Sequence, residues 1–287
     1  MPDEVYIALD MGGTKLLAAA IDRGRNVIAR ERAQTPRSLQ EGLSLLKQMV
    51  RTVAGGSRIL AIGVSAGGPL QHETGVLSSL HFPEWHEVPF KQIMEAEFGC
   101  PLRVEVDTDA AVLAEYRFGG HSIRRLLYVT LSTGVGGGFM IDGELYRGVD
   151  GSHPEVGHHA APYRLPVAGP ISCTCGANDC LEAIISGSAV KKHYGKPAED
   201  LLPEEWDEVA YNLGQGLRNL AAVYAPELIV LGGGMALGGG AKLLETARTV
   251  VRENLKIVPQ PRIEFSTLGY DTALWGGVAL ALSAISE

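Results

Sequence analysis

No apolar run in this sequence approaches the roughly 18 residues a membrane-spanning helix needs, which excludes a bilayer as a partner. Positive charge is in the minority. The 25 Lys and Arg face 33 Asp and Glu, for a formal charge of −8, and no basic block or stripe is present to neutralise nucleic-acid phosphates. The opening Met1-Pro2-Asp3-Glu4 is acidic and runs straight into an apolar strand, so the basic segment of a secretory signal is missing and a cytoplasmic location is expected. Aromatic residues are sparse at 6%, and neither a low-complexity tract nor a long linker divides the chain. Cysteine is scarce too, but three of the four, Cys173, Cys175 and Cys180, lie within eight residues. Without an export signal such a cluster points to a metal rather than a disulfide framework. Cys100, alone before Pro101, reads as a small buried hydrophobe.

What is present suits about two domains with their own cores: 287 residues, 46% apolar and 20% charged. Glycine is abundant at 36 residues and gathers in short clusters, which suggests loops that bring backbone close to a ligand. Val5 to Leu9, Lys15 to Ile21 and Val27 to Arg32 read as three strands, with turn chemistry at Asp22-Arg23-Gly24-Arg25. Apolar residues at helical spacing predict a helix over Leu39 to Val53, followed by a strand from Ile59 to Val64. A helix near Phe90 to Phe98 and a strand from Leu102 to Val106 complete a β-β-β-α-β-α-β order.

The order then starts again. A short helix at Ala110 to Tyr116 precedes a strand at Leu126 to Leu131, a glycine loop at Gly134 to Gly138 and a returning strand at Phe139 to Ile141. Asp142-Gly143 is a strong hairpin signal. Gly148 to Gly169 is loop-like. Later elements are helices at Pro203 to Tyr224, Ala241 to Asn254 and, amphipathic, Ala273 to Ile285, with strands at Leu228 to Leu231 and Ile263 to Thr267.

Two passages look like counterparts, each a strand, a glycine-rich turn and a returning strand. Asp10-Met11-Gly12-Gly13-Thr14-Lys15 offers backbone N–H groups that can converge on phosphate, with Thr14 as a hydroxyl donor, Lys15 as a charge, and Asp10 placed to orient Mg2+ through water. A simple hairpin is the plainer account of that loop taken alone. The second passage, Thr133-Gly134-Val135-Gly136-Gly137-Gly138, shifts the balance toward a nucleotide. Gly232-Gly233-Gly234, at a strand end before a helix, suits the nucleoside side. None of the three fits a Rossmann fingerprint or a P-loop.

Cys173-x-Cys175-x4-Cys180 supplies three thiolates, and a histidine from Glu155-Val156-Gly157-His158-His159 would complete a tetrahedral zinc site. Glu155 and Glu182 flank the cluster, and carboxylates can take the protons of a polyol's hydroxyls; the plainer account makes them exposed loop acids. Asp107 closes a strand where a catalytic group commonly sits, although helix capping explains it equally well. Asp109 reads as an N-cap or a first-turn acid.

Together these residues resemble the ROK family of sugar kinases and repressors, in the actin-like ATPase superfamily. Asp10 to Lys15 and Thr133 to Gly138 are similar to its phosphate motifs, and Pro226 to Gly234 to its adenosine segment. Glu155-Val156-Gly157-His158 matches its ExGH motif, and Cys173 to Glu182 matches CxCGxxGCxE except that Asp179 replaces a glycine.

The resemblance implies an α/β chain of two ribonuclease H-like, actin/hexokinase-type domains of βββαβαβα organisation flanking a cleft. The smaller would take residues 1–106 plus 271–287, and the larger, with the zinc loop, 107–270. It implies an ATP-dependent sugar kinase acting as a homodimer or homotetramer, with ATP, Mg2+ and a structural Zn2+. Asp107 would be the general base. Glu155, His158, Glu182 and Gly68 would bind the sugar. Asp10, Gly12, Gly13, Thr14, Lys15, Thr133, Gly134, Gly136, Gly233 and Gly234 would bind the nucleotide, and His158, Cys173, Cys175 and Cys180 the zinc.

The sequence departs from the family where Val106 replaces an Asn that meets the sugar, Asp109 a second Asn, Gly67 a proline and Ser65 a glycine. A glucokinase-like activity leads, with fructose or an N-acylhexosamine as the other acceptors. A sugar-binding regulator without turnover is the alternative, although the first phosphate loop begins at residue 10 and leaves no room ahead of it for the family repressors' helix-turn-helix.

Overall fold

The computed structural model describes residues 2–78, 84–165 and 169–285; residues 166–168 of the expected loop-like stretch, and the chain ends of the expected smaller domain, lie outside the described residues. Strands β1 (Glu4–Met11), β2 (Lys15–Ile21) and β3 (Val27–Gln34) lead into α1 (Leu39–Ala54) and β4 (Arg58–Ala66). The short β5 (Leu70–Gln71) and β6 (Val76–Leu77) precede α2 (Phe90–Phe98), β7 (Leu102–Val106) and α3 (Asp107–Phe118). Then come β8 (Arg125–Leu131), β9 (Val135–Ile141), β10 (Glu144–Leu145), α4 (Leu181–Ile185) and α5 (Gly187–Tyr194). The chain ends with α6 (Pro203–Tyr224), β11 (Leu228–Gly232), α7 (Gly234–Asn254), β12 (Arg262–Phe265) and α8 (Thr272–Ser283).

The chain divides into two units. The first takes the chain up to Phe118, Val149–Gly151 and the chain from Asp271 onward; the second takes Gly119–Gly148 and Ser152–Tyr270. Their sheets repeat one plan, β3-β2-β1-β4-β7 and β10-β9-β8-β11-β12. In each, three antiparallel strands continue into two parallel ones. This is the doubled ribonuclease H-like α/β organisation, and it makes the turn after β1 the topological counterpart of the turn after β8.

The alternation of side chains along β1 builds two layers at once. Val5, Ile7 and Leu9 face a core with Leu46, Met49 and Val50 of α1 and Phe90 and Met94 of α2. Tyr6 and Ala8 face Leu274 and Val278 of α8. The second unit packs Leu127, Val129 and Leu131 of β8 with Leu213 and Leu217 of α6 and Leu243 of α7. Helix α1 ends at Gly55, whose left-handed φ of 56° lets its N–H close on the carbonyl of Arg51. Helix α6 begins with Pro203 in its first turn, and Glu205 accepts from the N–H of Leu202 at 2.7 Å.

Several expectations need correction. Gly136 to Gly138 are strand rather than loop: β9 pairs with β8 from Val135 onward. Their glycines serve packing, since a Cβ on Gly137 would lie 2.5 Å from the carbonyl oxygen of Tyr128 and 2.6 Å from a methyl of Val156. Helix α7 breaks at Gly240 (φ 63°, ψ −164°): its part after the break is the expected helix from Ala241 to Asn254, and the part from Gly234 was not anticipated. Helices α4 and α5 lie in a stretch to which the sequence pattern assigned no element. Helix α8 is apolar and buried on almost every side rather than amphipathic, being held between the sheet and α3. Helix α3 begins at Asp107 and belongs to the first unit, so the division falls after Phe118 rather than after Val106. The cause is close packing of small residues: a Cβ on Gly276 of α8 would lie 2.9 Å from that of Ala110 in α3.

That packing is tightest at Gly63, where a Cβ would lie 1.9 Å from the carbonyl oxygen of Gly277 and 2.3 Å from the amide of Ala281. Relieving it means moving helix backbone, so Gly63→Ala should cost about 2–3 kcal/mol in urea unfolding. Gly238→Ala in α7, whose Cβ would meet nothing within 4 Å, should cost nothing measurable. Equal midpoints for the two variants would refute this account of how α8 is seated.

Candidate active site

In the first unit, β1 delivers Asp10 to the end of the sheet. The turn after it closes with the N–H of Gly12 donating to the carbonyl of Lys15 at 3.0 Å. Thr35 secures the turn, its hydroxyl donating to the carbonyl of Gly12 at 2.7 Å and its N–H to that of Thr14 at 3.1 Å. Gly12, Gly13, Thr14 and Lys15 are exposed, as a ligand-holding turn must be.

In the parallel register of β1 and β4, Asp10 stands opposite Ser65. Burial pushes the carboxyl of Asp10 up to about 6; the charge of Asp107 adds to the rise and the neighbouring hydroxyl of Ser65 opposes it. Sequence reasoning noticed Ser65 only as a departure, because its place beside Asp10 depends on strand register.

Asp107 opens α3 with its side chain exposed, and its Oδ1 accepts from the N–H of Thr108 at 2.8 Å. Asp109 is fully buried in the first turn of α3, so it is not an N-cap. Val106 is buried, and a Cβ on Gly68 would lie 3.2 Å from its Cγ1. The wall beside Asp107 is therefore apolar.

The second unit carries a set of its own. Four donors meet in one cluster, where the ligand atoms of His158, Cys173, Cys175 and Cys180 all lie within 4.8 Å of one another. Nδ1 of His158 is 3.5 Å from Sγ of Cys173, and Sγ of Cys175 is 3.6 Å from Sγ of Cys180. Ligand bonds of about 2.0–2.3 Å in a tetrahedron leave ligand atoms about 3.3–3.8 Å apart, so the arrangement fits a tetrahedral thiolate–imidazole metal such as Zn2+.

Nε2 of His158 faces away from the thiols, 3.8 Å from Glu155 Oε2 and 3.9 Å from Glu182 Oε1. His153 adds its Nε2 at 3.4 Å from the other oxygen of Glu155. Glu155 stays largely exposed, whereas Glu182 lies in the first turn of α4 rather than in a loop, three-quarters buried.

Thr133 and Gly134 form the turn between β8 and β9, and Gly136 lies in β9. Gly233 has a φ of 89°, and a Cβ there would lie 2.4 Å from the carbonyl oxygen of Leu131. Gly234 begins α7 with open space where its Cβ would be. Asn219 of α6, absent from the sequence reading, donates to the carbonyl of Ala160 at 3.1 Å and braces the chain beside His158 and His159. Its signal was a polar residue in an otherwise ordinary helix pattern, which does not reveal its partner.

Taken separately, the first unit offers an exposed turn suited to phosphate and a carboxylate, Asp107, while the second offers a carboxylate–imidazole set suited to hydroxyl groups. The family profile described as "ROK family" matches residues 6–284. A fructokinase from Zymomonas mobilis is 29% identical, the alignment covering 98% of this chain and 97% of that protein. Among solved structures, a ROK hexokinase from Thermus thermophilus superposes with a TM-score of 0.85 at 28% identity, covering 98% of this chain and 99% of that one. A ROK family glucokinase from Streptomyces griseus, in complex with glucose and AMPPNP, superposes with a TM-score of 0.78 at 26% identity, over 99% of this chain and 100% of that one.

The raised Asp10 carries a signature in stability. Its proton is held up to about pH 6 in the folded chain, against an ordinary value of 3.8, so the folded form binds the extra proton between those limits. The stability this group contributes is complete below pH 3.8 and lost as pH rises through about 6. Asp10→Asn should therefore gain stability over the parent at pH 7.5 by about 3 kcal/mol, and by about half of that at pH 5, without nucleotide or Mg2+. Thermal unfolding at the two pH values measures the difference; parallel shifts would show that Asp10 is not held protonated.

Proposed function

The chain belongs to the ROK family, and we propose that it transfers the γ-phosphate of ATP to a hexose hydroxyl, as a glucokinase does, with Asp107 as the general base. The observation that carries this reading is the set of two carboxylates, Glu155 and Glu182, facing Nε2 of His158 while its Nδ1 faces the thiols. Such a set can take hydroxyl protons in fixed directions, which is what orienting a sugar demands.

The acceptor hydroxyl gives its proton to Asp107 as its oxygen attacks the γ-phosphorus in line, and the bond to the β-phosphate oxygen breaks to release ADP. Gly12, Gly13, Thr14 and Lys15 at one turn, and Thr133, Gly134 and Gly136 at the other, hold the phosphates. Gly233 and Gly234 take the nucleoside side, and Asp10 orients the Mg2+ that accompanies ATP. Gly68 meets the sugar beside Val106. His158, Cys173, Cys175 and Cys180 would hold a Zn2+, which would order the loop and fix the imidazole's direction. Asp10 and Asp107 repel each other, and a cation accompanying the nucleotide would relieve that repulsion. The reading extends to a cytoplasmic homodimer or homotetramer, and to fructose or an N-acylhexosamine as the other candidate acceptors.

A second reading, a sugar-binding protein without turnover, draws on the apolar Val106 beside the base. Glucose or another sugar that raises the melting temperature with no ADP formed would establish it.

Two measurements test the leading reading. Coupled ADP release should find an accepted sugar among glucose, mannose, fructose, allose and N-acyl hexosamines, and Asp107→Asn should lower its kcat by about 100-fold or more. Unchanged turnover would remove Asp107 from the chemistry. Protein purified without added metal should hold close to one zinc per chain, and a Cys175→Ser variant that keeps full zinc would break the proposed ligand set.

A further inference from the structure

We propose that Glu182 is a positioning residue that couples acceptor binding to the second phosphate turn, a role that rests on the sugar-kinase reading above. Its two oxygens have different partners. Oε1 lies 3.9 Å from Nε2 of His158, on the side proposed to meet the sugar. Oε2 accepts from the backbone N–H of Val135 at 2.9 Å. Val135 ends the turn between β8 and β9, so a carboxylate on the sugar side holds the peptide that shapes the phosphate side.

The neighbouring chain strengthens that hold. The N–H of Gly187 donates to the carbonyl of Ser132 at 2.7 Å, and that of Ser188 to the carbonyl of Thr133 at 3.2 Å. The N–H of Glu182 itself donates to the carbonyl of Gly157 at 2.9 Å, which ties α4 to the turn carrying His158. Residues 182–188 thus grip residues 132–135 at three points. Gly134 fits the same account, because a Cβ there would lie 2.7 Å from Oε2 of Glu182. An alanine there would push the carboxylate out of this position.

A carboxylate can accept at both oxygens at once, whereas an amide of the same shape has one accepting oxygen and a donating NH2 group. When a sugar hydroxyl donates to Oε1, the carboxylate's orientation and its share of charge toward Val135 are set. The turn's amides are then presented differently to the phosphates. Linkage makes the effect mutual: a nucleotide that fixes the turn also fixes Glu182 for the sugar.

The test is cross-binding by calorimetry on the zinc-bound, full-length chain, using AMPPNP with Mg2+ as one probe and glucose, fructose or N-acetylmannosamine, whichever binds, as the other. In the parent chain, saturating sugar should tighten AMPPNP by about fivefold or more. Gly134→Ala, in the phosphate turn, should weaken sugar about fivefold or more with no nucleotide present. Glu182→Gln should weaken AMPPNP with no sugar present and bring the sugar-dependent ratio to within about twofold of unity. Glu182→Asp, one methylene shorter, should lose the coupling while keeping the charge, and serves where Gly134→Ala does not fold. A residue that only binds sugar would leave sugar-free AMPPNP binding and the ratio at their parent values, which would overturn the proposal, as would sugar affinity unaltered by Gly134→Ala. If no sugar binds the parent chain, the kinase reading fails on its own. Glu182 is then judged by the amide resonance of Val135: a shift in Glu182→Gln with weakened AMPPNP sustains the coupling of carboxylate to turn, and no shift refutes it.

Discussion

A Cβ on Gly157 would lie 2.1 Å from the carbonyl oxygen of Val135, closer than any side chain tolerates. That approach of one main chain to another fixes much of the second unit. It lays the turn of Glu155 to His158 flat against β9, where the carbonyl of Gly157 receives the N–H of Glu182. From there Glu182 reaches the turn between β8 and β9, and Leu181 donates its N–H to the carbonyl of His159 at 3.0 Å. His158 is thereby caught between the carboxylates and the thiols. A bulkier residue at 157 would separate the strand from the turn, and with it two groups of ligands that share no sequence proximity.

Glycine therefore does different work at positions that look alike in the sequence. At Gly137 and Gly157 a Cβ would strike backbone, so those glycines are needed by the fold itself, whereas at Gly134 it would meet only the end of the Glu182 side chain. At Gly234 it would meet open space, which leaves room for a ligand to approach the start of α7. Gly12 lies between these cases, with its Cβ direction 3.1 Å from the carbonyl oxygen of Lys15 in a hairpin whose exposed members are free to turn toward phosphate. Charge is arranged as unevenly as space. Asp10 is driven toward its neutral form by burial and by Asp107, and a cation arriving with a nucleotide would restore it to the charged form.

Much of this was legible in the residues. Strands β2 and β7 and helices α2 and α6 fall at the bounds their periodicity predicts, because local pattern and tertiary burial agree there. The cysteine spacing announced its cluster for a similar reason: ligands close in sequence need little help from the fold to meet. The failures have a common cause, which is that the deciding contact comes from a distant segment. Gly136 to Gly138 became strand because β8 and Val156 lie against them, and α3 joined the first unit because α8 packs on it. The hold of Glu182 on Val135 spans 47 residues and has no local signature.

The cluster of His158 with Cys173, Cys175 and Cys180, and the hydrogen bonds around it, act on different scales. Three thiolates and an imidazole can gather a loop, but they leave rotation about each ligand bond to be settled by neighbours. Asp179 supplies part of that restraint. Its φ of 58° is the left-handed backbone that the family's glycine would adopt, and Asp reaches it with less strain than most residues because its short side chain can bond locally. Its carboxylate accepts from the N–H of Ile171 at 2.8 Å while its own N–H donates to the carbonyl of Ile171 at 2.7 Å. Asn212 clamps the chain at Arg164 in the same two-handed way, accepting at 2.7 Å and donating at 2.9 Å. With both ends of the loop pinned, an ion need only fix the imidazole's tilt. That division explains how Asp can stand for glycine at 179 without disturbing the ligand set: the backbone conformation is kept, and the added carboxylate bonds to the loop it helps to close.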